Sequence, residues 1–242
     1  MSLLQVEGVT KRFGGLTALS GVSLSVRAGS VVGLMGANGA GKTTLFSVIA
    51  GHQRPTAGSV SFGGRSIVGL SPDRICRLGL SRTFQIVRPF AGLTVRDNVI
   101  VSALYGSARR HSQQEAAAVA DEALAALGLL DQADRPAGAL TLSGQKRLEV
   151  ARALGTGARL LLLDEVMAGL TPTEVEEMTA VLGTIRRERS LTFVIIEHVM
   201  GALMKLSDEI LVLHHGEVIA FGTPEAIAAD ERVGAVYFGR EA

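Results

Sequence analysis

The stretch Gly36-Ala37-Asn38-Gly39-Ala40-Gly41-Lys42-Thr43 fits G-x-x-x-x-G-K-[ST]. In that pattern, glycines let successive main-chain N–H groups converge on phosphate oxygens without Cβ clashes. A helix after the loop directs its positive end at the same anion. Gly36, Asn38, Gly39, Ala40 and Gly41 would form the cradle, Lys42 would reach the β- and γ-phosphates, and the Thr43 hydroxyl would ligate Mg2+. Thr44 adds a further donor. The plainer alternative is a glycine-rich turn before an ordinary helix, and the context argues against it. The nearly apolar run Ser30–Met35 precedes the loop, as a strand buried on both faces of a parallel sheet would. A helix is predicted over Lys42–Ala50.

Working outward, Leu4–Val9, Val22–Val26, Ser59–Phe62, Leu160–Leu163, Leu191–Ile196, Ile210–Leu213 and Val218–Phe221 read as strands, and Asp73–Leu78 as a helix. The region from Thr94 to Leu130 is rich in Ala and Leu. There Ala116, Ala120, Ala123, Leu127 and Leu130 recur at helical spacing. Thr171-Pro172-Thr173-Glu174 reads as a helix start with a Thr cap, Pro in the first turn and a capping-box Glu; Val175, Met178, Leu182 and Ile185 form its apolar face. Strands alternating with helices imply an α/β core with a parallel sheet, into which a helical segment is inserted. The acidic pair Asp164-Glu165 follows a buried strand, where such a sheet places its ligand site. Asp164 would hold Mg2+, and Glu165 would orient and deprotonate an attacking water.

Composition narrows the classes. With 47% hydrophobic side chains in 242 residues, a disordered tail is excluded, and one cysteine, Cys76, cannot form an internal disulfide. Lys plus Arg (24) nearly balances Asp plus Glu (23), and there are eight Phe, two Tyr and no Trp, so no nucleic-acid partner is expected. Glycine is abundant, 29 residues, against a usual share of ~7%. No apolar run approaches the roughly 18 residues of a membrane span, and Met1–Glu7 has no signal-peptide pattern. A cytoplasmic chain is expected, held at a membrane by partners if at all; the mean hydropathy of +0.33 hints at extra interface surface.

The order of these motifs resembles an ABC-transporter ATP-binding subunit over nearly the whole chain. The resemblance implies a P-loop NTPase ABC cassette: a RecA-like parallel-sheet core and an antiparallel β subdomain (1–85 and 154–222), a helical subdomain (86–153) and a C-terminal tail (223–242). Phe13 then stands where an aromatic stacks on adenine. Gln85, in Arg82-Thr83-Phe84-Gln85, matches the glutamine that senses Mg2+ and γ-phosphate, and His198 matches the switch histidine. Implied cofactors are ATP and Mg2+. Implied partners are transmembrane permease subunits, a second ATP-binding subunit (homo- or heterodimer) and, for an importer, an extracytoplasmic solute-binding protein. The location would be peripheral, on the cytoplasmic face of the cell membrane. Arg82–Gln85, Phe90–Asn98, Arg147–Arg152 and Tyr237-Phe238-Gly239 look most like the branched-chain amino-acid uptake group. An exporter subunit, for example for lipid, or a soluble ABC ATPase are the alternatives. Arg88–Val95 falls near the place where the family docks a membrane partner.

The chain departs from the family at the signature L-S-G-G-Q. A literal match, Leu142-Ser143-Gly144-Gln145, needs a deletion before Arg152. Keeping the usual spacing makes Leu140-Thr141-Leu142-Ser143-Gly144 the five positions. The second alignment is preferred, because losing two residues would rotate the helix by ~200°. Thr141, Ser143 and Gly144 would then face the nucleotide of the second subunit, with Ser143 adding a Cβ where backbone should approach phosphate. The next loop carries Thr171 where Asp is common, and Ala37 replaces a frequent Pro. His214-His215 reads as a hairpin turn rather than a metal site, Cys76 as a packed thiol, and Arg109-Arg110-His111 as a solvated loop.

Overall fold

The computed structural model describes residues 2–84, 89–106, 108–109 and 111–238. In chain order, β1 (Ser2–Phe13), β2 (Leu16–Arg27), β3 (Val31–Gly36), α1 (Lys42–Ile49), β4 (Ala57–Phe62) and β5 (Arg65–Ser66) lead to α2 (Pro72–Arg77). Next come β6 (Leu80–Arg82), α3 (Val95–Gly106), α4 (Gln113–Ala126), α5 (Leu142–Gly155), β7 (Leu160–Asp164) and α6 (Pro172–Arg189). The chain continues through β8 (Thr192–Ile196), α7 (Met200–Leu206), β9 (Glu209–His214), β10 (Glu217–Gly222), α8 (Pro224–Ala229) and α9 (Glu231–Phe238). Two compact units result, 1–72 with 192–242, and 73–191.

The first unit carries an antiparallel sheet in the order β2-β1-β4-β5. Its second sheet runs β3 parallel to both β8 and β9, with β10 antiparallel beyond β9. Every residue of β3 and β8 is buried, which is why both read as nearly unbroken apolar runs. The turn between β9 and β10 uses positive φ at His215 (47°) and Gly216 (82°), as a tight hairpin requires. The His214 and His215 rings meet edge to face, and no metal-holding cluster of His, Cys, Asp and Glu occurs among the described residues.

In the second unit β6 pairs in parallel with β7, Leu80 beside Leu160 and Arg82 beside Leu162. β6 has only three residues, too few for any periodicity to reveal. Ala116, Ala120, Ala123 and Leu127 are buried as the helical spacing predicts, but Leu130 is not. α4 stops at Ala126, Gly128 turns the chain at φ 66°, and Leu130 falls in a short 3-10 turn; Leu124 takes the buried place instead. The Phe90–Asn98 stretch has a structural purpose of its own. The fully buried Asn98 amide accepts from Phe90 N–H (2.8 Å) and donates to the carbonyls of Phe90 (3.1 Å) and Thr94 (2.9 Å), stapling the entry to α3. Phe90 itself stays half exposed, with the Arg152 guanidinium 5.2 Å from its ring. At α6, Thr171 caps the helix, Pro172 occupies its first turn and Glu174 closes the box, and Val175, Met178, Leu182 and Ile185 are buried. Burial pushes the Cys76 thiol up from its ordinary range, and the thiol donates to Gly106 O, as a packed cysteine would.

Candidate functional site

The first unit builds its part of the site from main chain. β3 ends at Gly36, and a Cβ there would lie 2.8 Å from Leu213 O. Gly41, at φ 105°, caps α1; a Cβ there would meet Ala18 O at 2.7 Å. Both positions therefore exclude side chains. Gly216 N–H donates to Ala40 O (3.0 Å), tying the loop to the β9–β10 hairpin. No side chain caps α1, and no acidic residue stands in its first turn. Lys42 is buried to 7% exposure, and its ammonium donates to the loop carbonyls of Gly36 and Ala37. Thr43 is exposed and Thr44 half-buried at the start of α1. Leu34 pairs with Ile196, so the loop and His198 leave the carboxyl ends of adjacent parallel strands. That edge is where α/β sheets bind ligands. His198 is exposed there. Phe13 is half exposed at the end of β1, with Lys11 Nζ 4.7 Å from its ring centre.

The second unit builds with side chains. Asp164 ends β7 and is buried at 2% exposure. Arg82 Nη2 donates to its Oδ2 at 2.7 Å. Thr83 N–H donates to Leu162 O (2.9 Å), and Thr83 Oγ1 accepts from Asp164 N–H (3.0 Å). Glu165 follows with φ 52°, a left-handed conformation uncommon outside glycine. The buried Lys146, on α5, donates from Nζ to Glu165 O at 2.8 Å, and Ala168 N–H shares that carbonyl.

The signature segment starts α5. Thr141 is its cap, with Oγ1 accepting from Gly144 N–H at 3.2 Å; Ser143 is buried and Leu142 half exposed. A Cβ at Gly169 would lie 3.1 Å from Leu142 Cδ2, so a larger residue there would require that side chain to shift. Gln85 and Arg88 lie outside the described residues. Within the first unit the structure brings together the phosphate loop and His198; within the second it places Asp164 and Glu165 on one strand end.

Three residues hold these groups in ways the sequence did not reveal: Arg82 and Thr83, marked there only as resembling an uptake subgroup, and Lys146. Their signal was indirect. Arg82-Thr83 directly precedes Phe84-Gln85, and Lys146 lies one turn into the helix that the signature segment starts.

A family model described as ABC transporter matches residues 19–168. This chain is an ABC transporter ATP-binding subunit. It is 40% identical over 249 residues to the high-affinity branched-chain amino acid transport ATP-binding protein BraF of Pseudomonas aeruginosa, with 98% of each chain covered. The ADP conformation of MJ1267, an ATP-binding cassette of an ABC transporter, superposes with a TM-score of 0.89 at 30% identity, covering 99% of this chain and 100% of that one. A dimeric post-hydrolysis state of the cassette MJ0796 bound to ADP and Pi gives 0.81 at 25% identity, covering 91% and 98%. The ATP-binding subunit thus has the α/β P-loop NTPase fold of an ABC cassette and is an ATPase. No helix among its described residues is long and apolar enough to cross a membrane.

Proposed function

We propose that this subunit powers import of branched-chain amino acids or related small solutes. The observation that carries the reading is the 40% identity to BraF along 98% of both chains. Lipid export and a soluble role outside transport have no comparable support.

In this reading the loop from Gly36 to Gly41 and Lys42 hold the triphosphate, Thr44 adds a donor, and Phe13 stacks on adenine. The oxygen donors Thr43 and Asp164, together with the Gln85 carbonyl, suit magnesium, which takes hard oxygen ligands. When bound, magnesium would neutralise charge on the β- and γ-phosphate oxygens. The Glu165 carboxylate takes the proton of the attacking water, and His198 contacts the γ-phosphate. Thr141, Ser143 and Gly144 cap nucleotide held by a second ATP-binding subunit. The left-handed backbone at Glu165, held by Lys146, supports this role for the glutamate, since strain of this kind persists where surrounding structure over-determines it.

Two such subunits, alike or paralogous, would close around two nucleotides at the cytoplasmic face of the membrane. Closure would move attached permease subunits, which receive solute from an extracytoplasmic binding protein. Nucleotide drives that change by binding the closed state more tightly. The test is copurification of the subunit with its permeases and reconstitution in vesicles. Leucine, isoleucine or valine presented with the binding protein should accelerate ATP hydrolysis. ATP turnover indifferent to all three, in a complex intact by size, would overturn the cargo assignment.

A further inference from the structure

The buried pair between Arg82 and Asp164 has a consequence for magnesium. Both side chains are withdrawn from water, 8% and 2% exposed, and meet at 2.7 Å. The parallel register puts Arg82 beside Leu162, and Asp164, two residues on, lies on the same face of β7. The guanidinium therefore needs no bend in the strand to reach the carboxylate. Thr83 fixes the main chain of Asp164 from the same three-residue segment. The Arg82 guanidinium also stands 5.5 Å from the Phe84 ring centre, a cation–π distance that holds it in place.

A buried carboxylate left without a counter-ion is strongly destabilising. Arginine supplies that counter-ion permanently, because its guanidinium does not deprotonate in proteins. Magnesium is a second cation for the same carboxylate under the function proposed above, on which this inference rests. Two cations sharing one small anion repel each other, and more so in a poorly hydrated setting. We propose that Arg82 is a positioning residue that holds Asp164 in the absence of metal and thereby raises the magnesium concentration required for tight nucleotide binding. Arg82 keeps the strand end folded without metal and makes magnesium compete for its ligand.

The experiment is a magnesium titration at fixed concentration of a non-hydrolysable ATP analogue, read by calorimetry on the full chain. R82Q removes the charge and keeps an N–H donor. Its magnesium midpoint should fall about tenfold, the order expected for removing a unit charge beside a divalent ion. R82K keeps the charge and should stay within about twofold of wild type. An R82Q midpoint equal to wild type, or an R82K midpoint as low as that expected for R82Q, overturns the proposal. Thermal unfolding in EDTA gives a second readout that does not depend on R82Q folding alone. D164N leaves Arg82 without its anion, and R82Q/D164N removes both charges, so the double variant should melt at a higher temperature than D164N. Equal melting temperatures overturn the counter-ion role. Failure of wild-type protein to bind the analogue at any magnesium concentration would instead remove the underlying functional reading.

Discussion

Two helix starts in this chain solve one problem in different ways. Every helix leaves main-chain N–H groups at its first turn without intrahelical partners. At α6 the chain supplies its own side chains: Thr171 Oγ1 accepts from Glu174 N–H, and the Glu174 carboxylate accepts from Thr171 N–H. α4, α5 and α8 likewise begin with a hydroxyl cap, from Ser112, Thr141 and Thr223. At α1 the cap is Gly41, with no side-chain acceptor and no acid in the first turn. A carboxylate there would compete with phosphate for the same donors, so omitting it suits an anion site. The same division separates the two parts of the candidate site. The phosphate loop is backbone geometry enforced by glycine, whereas the strand end at Asp164 is side-chain chemistry enforced by Arg82, Thr83 and Lys146. The loop should govern phosphate binding and Glu165 should govern turnover, with Asp164 entering binding only through magnesium.

The sharpest challenge to that division is Glu165→Gln. ATP turnover by the assembled transporter should fall by about 10²- to 10⁴-fold, the usual contribution of a general base, while nucleotide affinity measured by calorimetry stays near wild type. A parallel loss of binding would merge the two parts. Making the matching change in the second ATP-binding subunit tests a further asymmetry. If Ser143 stands where the family has glycine, as the preferred alignment has it, the partner's site would already be slow, and the partner variant would lose less. Equal losses would remove that asymmetry.

Lys42→Ala is the reciprocal experiment. Each hydrogen bond to a charged group is worth about 1.5–3 kcal/mol, so binding of the ATP analogue should weaken by about 10- to 10²-fold or more. Circular dichroism should show the fold retained. Unchanged affinity would mean that the loop does not hold phosphate.

The contrast also explains what could be read in the sequence. The phosphate loop was legible because its geometry demands particular residue types at fixed spacing, and Gly36 and Gly41 stand where a Cβ would strike backbone. β3, β7 and β8 were legible because burial on both faces writes a nearly unbroken apolar run. The α6 cap was legible because its hydrogen bonds join neighbours in sequence. Arg82 and Asp164 are far apart along the chain and meet only through the pairing of a three-residue strand. Lys146 reaches a main-chain carbonyl, which imposes no residue type on its partner. Leu130 misled because hydrophobic spacing continues past the glycine that ends the helix.

Thr83→Val weighs the support of the acidic end directly. Valine keeps the shape but removes the oxygen that accepts from Asp164 N–H, leaving a buried donor without that acceptor. Thr83 is 1% exposed, so water does not readily replace the bond. A loss of about 1–3 kcal/mol in stability by denaturant unfolding is expected. A variant as stable as wild type would show that the carboxylate is positioned by its ion pair alone.

The smallest effect comes from the α6 cap, where pH separates it from α1. The Thr171 N–H bond, aided by the Thr171 hydroxyl, holds the Glu174 carboxyl below its ordinary range. A folded pKa lowered in this way contributes stability that is fully present above the unfolded pKa and is lost as pH falls through the folded one. Glu174→Ala removes that contribution, and α1 has no first-turn acid to supply an equivalent one. Thermal midpoints of wild type and variant should therefore differ slightly at neutral pH and converge on acidification below the ordinary glutamate range. A gap that stays constant into acid would assign the cap's benefit to packing rather than to the carboxylate's charge.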